Sequence, residues 1–546
     1  MYDNNRIKVT NTAIIVENYT LGESEKLENC FRVWDPLTHK ANLIAIYYDE
    51  ENKRLYLPGG IDLWFVRNCL NEKYYTRIDP IKYKPIGNVQ VKFKPRDERQ
   101  AEVLRFACAV NEYEDNLYKS QLFLACNTGF GKSYCSIATM AYYKMRAIVI
   151  TGSNTLLTQW RSEIAKYTSI KDNEIVSISG SDYCNMILNG SSKKAEEGKI
   201  FLCSHGTLRS FGDRYGWDKV SQLFEHLGIG LKFFDEAHTV YENMFMIDYF
   251  TNVYKTFYVT ATPGRSNYRE DKVFQISLKN VPMIDLFDEN GDPHTSYIAI
   301  KWNSRPTPQV ISACKNMYGL DRNKYMDYIT KKKEFYDMLT IIMDMVIKCK
   351  GRVLFYIGTN DGILRVYNWM ATNYPEFIGD IGIFTSLLPR EQKMQERKKK
   401  LLLSTTKSAG LGEHLEGLKM TIVLAEPFKS EIIARQTLGR TRDQNTLYIE
   451  LVDLGFIYCR KFYNAKLKVF NKYAKDVSDT TIDSYELQRR SEILREERSD
   501  WRKSPIGFED NRFDFSKILP KIPYVDDKTP KCPIKFYSKE KKKWKD

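Results

Sequence analysis

The chain has 546 residues, 43% hydrophobic and 28% charged, an ordinary composition for a soluble globular protein of roughly three or four domains. Lysine and arginine total 83 against 69 aspartate and glutamate, and the resulting +14 charge attracts polyanions over long range. No apolar stretch approaches the ~20 residues of a membrane span, Met1 to Val9 lack an apolar signal core, and 11 cysteines show no C-x-x-C pair. An intracellular, cytoplasmic chain without membrane contact is therefore expected, in a reducing compartment and with no structural zinc.

Residues 1–90 read as short strands at 13–17, 41–48 and 54–57, a break at Pro58-Gly59-Gly60, and a helix over 61–70. This region is expected to be a β-rich accessory domain that binds duplex DNA. From residue 91 the pattern alternates between apolar strands and helices. Strands are predicted at 121–125, 147–151, 199–203, 231–234 and 257–260, in a first α/β domain over 91–300. A less regular stretch near 265–350 leads into a second series, with strands at 352–357, 381–384, 401–404, 420–424 and 447–452, in a domain over 301–465. Residues 466–546 form a charged extension with a helix expected at 492–502 and five lysines among residues 539–545. The fold class is α/β, with two tandem parallel-sheet lobes between a small β-rich N-terminal domain and the charged C-terminal extension.

The first chemical signal follows the strand at 121–125. Thr128, Gly129, Gly131, Lys132 and Ser133 stand between a strand and a helix, as a phosphate-binding loop requires. Glycines let backbone N–H groups turn toward phosphates, Lys132 reaches the β- and γ-phosphates of ATP, and the Ser133 hydroxyl ligates Mg²⁺. Cys126 takes the place of the usual first glycine. Asp235-Glu236-Ala237-His238 ends another strand at the sheet edge where such folds bind ligands. Asp235 is expected to hold Mg²⁺ and Glu236 to polarise the attacking water, while His238 senses the nucleotide or couples the lobes. Thr260-Ala261-Thr262-Pro263 follows in order, with hydroxyls suited to relaying nucleotide state.

The second lobe carries Gln436, Arg440 and Arg442. Phosphoryl transfer needs positive charge on the γ-phosphate, and either arginine can be the finger. Gln436 is expected to orient water or nucleotide. Hydroxyl-rich strand ends suit the oxygens of a nucleic-acid backbone: Thr151 and Ser153, Ser204 and Thr207, Thr359 and Asn360, Thr405 and Ser408.

Taken together, Gln100, 129–133, 151–160, 204–208, 235–238, 260–263, 359–360, 408–413 and 436–442 resemble the ordered motifs of superfamily 2 helicases, across roughly residues 91–460. Within that superfamily the chain is most similar to UvsW-type phage helicases, with poxviral and XPB-like relatives. The resemblance implies two RecA-like lobes, Gln100 on the nucleotide, ATP and Mg²⁺ as cofactors, and translocation on duplex, forked or branched DNA in recombination and repair. Four positions depart from the family pattern: Cys126, Arg96 four residues before Gln100, Glu413 in place of Asp or Asn, and Arg442 two residues after Arg440, with Asp443 in the usual place. An RNA-directed or transcript-releasing motor would carry the same core. A non-catalytic nucleic-acid scaffold would not need Lys132, Asp235, Glu236 and both arginines. The high Lys, Asn, Ile and Tyr usage suits an AT-rich, viral genome, and a monomer is the simpler expectation.

Overall fold

The structure is a computed structural model that describes residues 5–35, 40–126, 130–152, 154–237, 241–260, 268–286, 292–316, 319–385, 388–406, 415–428, 431–438 and 445–503. It divides into two compact units, Met1–Phe287 and Asp288–Asp546.

The first unit is organised by a seven-stranded, all-parallel sheet. Its order is Ile175–Ile178, Ile200–Ser204, Ala147–Thr151, Leu231–Asp235, Lys255–Thr260, Gln121–Cys126 and Met283–Leu286. Side chains alternate across a strand, so each strand serves two cores. Leu122, Leu124, Val149, Phe233 and Val259 pack on one face with Phe106, Ile137, Trp160 and Ile164 of three helices, Glu98–Cys108, Lys132–Tyr143 and Asn154–Tyr167. Phe123, Ile148, Ile150, Phe234 and Tyr258 face the other way, onto Leu208, Leu223 and Phe245 of the helices His205–Tyr215, Trp217–Leu227 and Tyr241–Phe250.

That second core continues without a break into the N-terminal region. Ile14, Leu55, Leu57 and Val66 belong to it, and Tyr56 lies 5.0 Å from Phe250 between ring centroids. Polar contacts join the same surfaces: Asn11 Nδ2 donates to Val253 O at 2.9 Å, and Thr12 Oγ1 donates to Asp248 O at 2.7 Å. The N-terminal region has its own five-stranded sheet, ordered Tyr47–Asp49, Arg54–Pro58, Ala13–Glu17, Ile7–Val9 and Thr76–Arg77. The accessory region thus has the expected β-rich character but shares its core with the first lobe. The strand expected over 41–48 is two strands, Lys40–Leu43 and Tyr47–Asp49, because Ala45 adopts a φ of 58° between them.

The second unit repeats the plan. Its parallel sheet runs Ile381–Phe384, Leu401–Ser404, Arg352–Ile357, Leu418–Ala425, Thr446–Asp453, Asp292–Trp302 and Ala474–Thr481. One face packs on the helices Lys333–Lys348 and Asn360–Asn373, the other on Glu431–Leu438 and Ile457–Tyr473. Two tandem RecA-like lobes are therefore present, each with seven strands where five were expected. The strand Asp292–Trp302 lies inside the stretch read as irregular and straddles the expected boundary at 300/301. The segment after residue 466 is partly integral to this lobe. Lys466 is buried, Ala474–Thr481 forms an edge strand, and the helix Ser484–Lys503 docks through Ser491 Oγ and Arg495 on Asp337. Among the described residues no helix is long and apolar enough to cross a membrane.

Candidate active site

Because all strands of the first sheet run parallel, their C-terminal ends form one edge, and the register places the candidate residues along it. Thr260 pairs in register with Ala125, Asp235 with Val259, Phe234 with Ile150, and Ser204 with Thr151. The order along the edge is Ser204, Thr151, Asp235, Thr260, Cys126. The acidic motif therefore sits between the phosphate-loop strand and the hydroxyl-bearing strand ends.

The described part of the phosphate loop is built around one glycine. Gly131 precedes the helix Lys132–Tyr143 with φ of 97°, a conformation that L side chains rarely adopt. A Cβ at this position would stand 2.4 Å from Gln100 Nε2, so a larger residue must displace that amide as well as strain the backbone. Gln100 is held at both ends of its amide: Nε2 donates to Phe130 O at 2.6 Å, and Oε1 accepts from Arg96 N at 2.8 Å. The Arg96 spacing that departs from the family pattern thus serves Gln100 directly. Lys132 Nζ reaches back to Cys126 O at 3.4 Å, at the mouth of the loop. The Cys126 thiol is buried, and burial raises its pKa to about 12, so it packs as a small apolar group. Thr128 and Gly129 lie outside the described residues.

Asp235 is buried, and its odd-numbered position turns it to the face occupied by the phosphate-loop helix and Trp160. Trp160 Nε1 donates to Asp235 Oδ2 at 2.8 Å, and Glu236 N donates to Oδ1 at 3.1 Å. Burial and the adjacent Glu236 charge raise the Asp235 pKa to about 6, while the Trp160 bond and the Lys132 charge oppose the rise. Glu236 takes a φ of 53°, a left-handed turn just past the strand. His238, Thr262 and Pro263 lie outside the described residues. Trp160 was legible only as part of a motif. The signal for its bond is that a buried indole N–H must find an acceptor.

Of the expected nucleic-acid residues in this lobe, Thr151 is buried at its strand end. Ser204 caps its helix by accepting from Thr207 N at 3.1 Å and bonds the Thr207 hydroxyl at 3.0 Å. His205, between them in sequence, stacks on Phe234 and is held neutral by burial, its pKa lowered to about 4. Ser153 lies outside the described residues. In the second lobe Thr359 caps its helix through Gly362 N at 3.0 Å, Asn360 opens that helix, and Thr405 follows the neighbouring strand, whose Ser404 pairs with Tyr356. Gln436 lies in the helix Glu431–Leu438 with its side chain not described, and Ser408, Glu413, Arg440 and Arg442 fall outside the described residues.

The resemblance to superfamily 2 helicases is borne out by residues 92–265, which match the family described as type III restriction enzyme, res subunit. A curated relative, the putative DNA 3'-5' helicase Rad25 of Haloarcula marismortui, is 26% identical over 180 residues, covering 32% of this chain and 26% of that protein. The matched part thus spans about a quarter of that relative. Among solved structures, T4 UvsW is similar at 13% identity and a TM-score of 0.34, over 87% of this chain and 99% of that one. S. cerevisiae Dbp5 bound to RNA and ADP BeF3 is similar at 14% identity and a TM-score of 0.47, over 73% and 92%.

Proposed function

We propose that this chain is an ATP-driven motor on nucleic acid, a DNA helicase or translocase that remodels duplex, forked or branched DNA. The observation that carries this reading is the division of one sheet edge. Asp235, Thr260 and Cys126 occupy one side, Thr151 and Ser204 the other, and the strand bearing Asp235 pairs directly with the strand bearing Thr151. A change at the nucleotide is one strand away from hydroxyls suited to phosphate oxygens.

In this reading Lys132 binds the β- and γ-phosphates, Gln100 fixes the loop at Phe130 and Gly131, and Glu236 orients the attacking water and takes its proton. Ser133 and Asp235 would hold Mg²⁺, which supplies charge neutralisation on the phosphates. The residues fit such an ion, since a carboxylate whose charge is disfavoured by burial is completed by a cation. Gln436, Arg440 and Arg442 are assigned to the nucleotide by resemblance. The N-terminal region is assigned a role in DNA binding, supported by Trp64 and Tyr74, 68% and 71% exposed on a basic chain.

The test is ATP hydrolysis by the purified chain alone and with single-stranded DNA, duplex DNA, forked DNA and RNA. Stimulation by duplex or forked DNA supports the proposal, and Lys132→Ala then abolishes hydrolysis while DNA binding persists. Stimulation by RNA alone replaces DNA with transcript remodelling. Hydrolysis that survives Lys132→Ala overturns the site assignment.

A further inference from the structure

The second lobe contains a buried carboxylate that no motif claims. Glu426 directly follows the strand Leu418–Ala425 and is 3% exposed. Its Oε2 accepts from Thr406 N at 2.9 Å and its Oε1 accepts from the Thr406 hydroxyl, so one carboxylate takes both polar hydrogens of one residue. Thr406 is itself buried and stands between Thr405 and Ser408, the two hydroxyls assigned to nucleic acid.

On its other side Glu426 precedes in sequence the helix that carries Gln436. Two residues on, Phe428 packs in one core with Ala434 and Leu438 of the helix Glu431–Leu438, which carries Gln436 and ends just before Arg440. That helix is pinned to the sheet by Thr437, whose hydroxyl lies 3.0 Å from the Tyr448 hydroxyl. Phe428 in turn lies 4.0 Å beneath Lys466 Nζ, and Lys466 is ion-paired with Glu450. Glu426 thus joins two segments twenty positions apart in sequence that the motifs assign to different ligands.

We infer that Glu426 is a positioning residue that couples the nucleic-acid segment around Thr406 to the nucleotide-side helix of the second lobe. The inference rests on the proposed reading of the chain as a nucleic-acid-stimulated ATPase. The physical argument is that a buried carboxylate cannot leave two donors without a large desolvation loss. When nucleic acid draws on Thr405 and Ser408, a shift of Thr406 either breaks both bonds or carries the chain at Glu426 with it. Five residues later the helix begins, with Phe428 packed in the same core as its Ala434 and Leu438.

The surroundings make the joint sensitive to charge. Glu426 borders a small cleft lined also by Tyr325, Glu450, Cys459 and Lys466. Burial raises the Glu426 pKa to about 7, opposed by its two bonds to Thr406 and by the charges of Arg322 and Lys466. Glu450 answers the Lys466 charge, and burial keeps the Cys459 thiol and Tyr325 phenol neutral. Glu426 therefore changes charge near neutral pH.

The experiment measures ATP hydrolysis against the concentration of forked DNA for the full chain and for Glu426→Gln, Thr406→Val and the double variant, from pH 6 to pH 8.5. The expected result is an apparent KM for DNA raised about tenfold in each single variant, no further in the double, with the KM for ATP within about twofold. In the unsubstituted chain the DNA KM rises as pH falls through about 7, and this dependence is absent in Glu426→Gln. Should Glu426→Gln fail to fold, Thr406→Val, which keeps shape and backbone, carries the same comparison. Equal DNA KM and equal pH profiles overturn the inference while leaving the motor reading intact. No stimulation of the unsubstituted chain by any nucleic acid overturns both.

Discussion

The indole N–H of Trp160 donates to the Asp235 carboxylate at 2.8 Å, with both side chains buried beneath the sheet edge. Trp160 lies on the helix Asn154–Tyr167, which begins just beyond Thr151, so the acidic motif is tied to the element that follows a nucleic-acid candidate. The bond fixes one Asp235 oxygen and leaves Oδ1 to accept only from Glu236 N among the described contacts of that atom.

Trp160→Phe keeps most of the packing and removes the donor. Without it the Asp235 pKa rises further, since this bond is among the influences that lower it. The expected outcome is a fall in kcat of about tenfold, ~1.4 kcal/mol in barrier, with an acid limb displaced to higher pH. A pH–rate profile of DNA-stimulated hydrolysis checks both. An unchanged acid limb would separate Trp160 from Asp235.

Asp235 itself sets a trade between stability and chemistry. Its pKa in the folded chain, about 6, lies above the ordinary 3.8 because burial disfavours the charge. A raised folded pKa means the favourable contribution to stability is complete below about pH 4 and is lost as pH rises through about 6. Asp235→Asn removes that loss while abolishing hydrolysis. Without Mg²⁺, the Tm of Asp235→Asn minus that of the unsubstituted chain should be small at pH 4 and grow to a plateau above pH 7. A difference flat with pH would contradict burial as the cause.

Gly131→Ala places a methyl group 2.4 Å from Gln100 Nε2 and strains a φ of 97°. The backbone term is worth ~1–3 kcal/mol, and displacing Gln100 also frees Phe130 O. Nucleotide affinity should fall at least about tenfold. Adding Gln100→Ala relieves the clash and leaves the strain, so the double variant should recover stability only in part. Thermal melts with and without ATP read both effects.

The two-lobed core was legible because its central strands are continuous apolar runs, buried on both faces, and because Gly131-Lys132-Ser133 and Asp235-Glu236 stand at their ends. The strands Ala147–Thr151, Arg352–Ile357, Ile381–Phe384 and Leu401–Ser404 have the bounds the sequence predicts. Two of the strands not predicted lie at sheet edges. Ala474–Thr481, an edge strand, reads AKDVSDTT, mostly exposed, and takes its conformation from pairing with Asp292–Trp302. Ile175–Ile178 has only four residues at the edge of the first sheet. Pair relationships such as Trp160 with Asp235 and Thr406 with Glu426 leave no periodic trace, since their partners are brought together by the sheet and not by spacing.

The N-terminal region offers a last prediction, because its core and its surface call for opposite results. Leu57 is fully buried in the core shared with Phe234 and Phe245, so Leu57→Ala should destabilise the region and the first lobe together by ~2–5 kcal/mol. Trp64 sits on the outer face of the helix Leu63–Leu70, 68% exposed, one turn before Arg67, whose guanidinium binds the carbonyls of Glu72 and Lys73 just ahead of Tyr74. Trp64→Ala and Tyr74→Ala remove aromatic surface next to cations without touching that core. Stability should stay within about 0.5 kcal/mol. Affinity for DNA should fall by ~1–3 kcal/mol per ring if these rings stack on bases. Denaturant melts followed at the two lobes, beside DNA titrations of each variant, distinguish the cases. Separate melting of the N-terminal region would refute the shared core, and unchanged DNA affinity would remove this surface from the DNA-binding site.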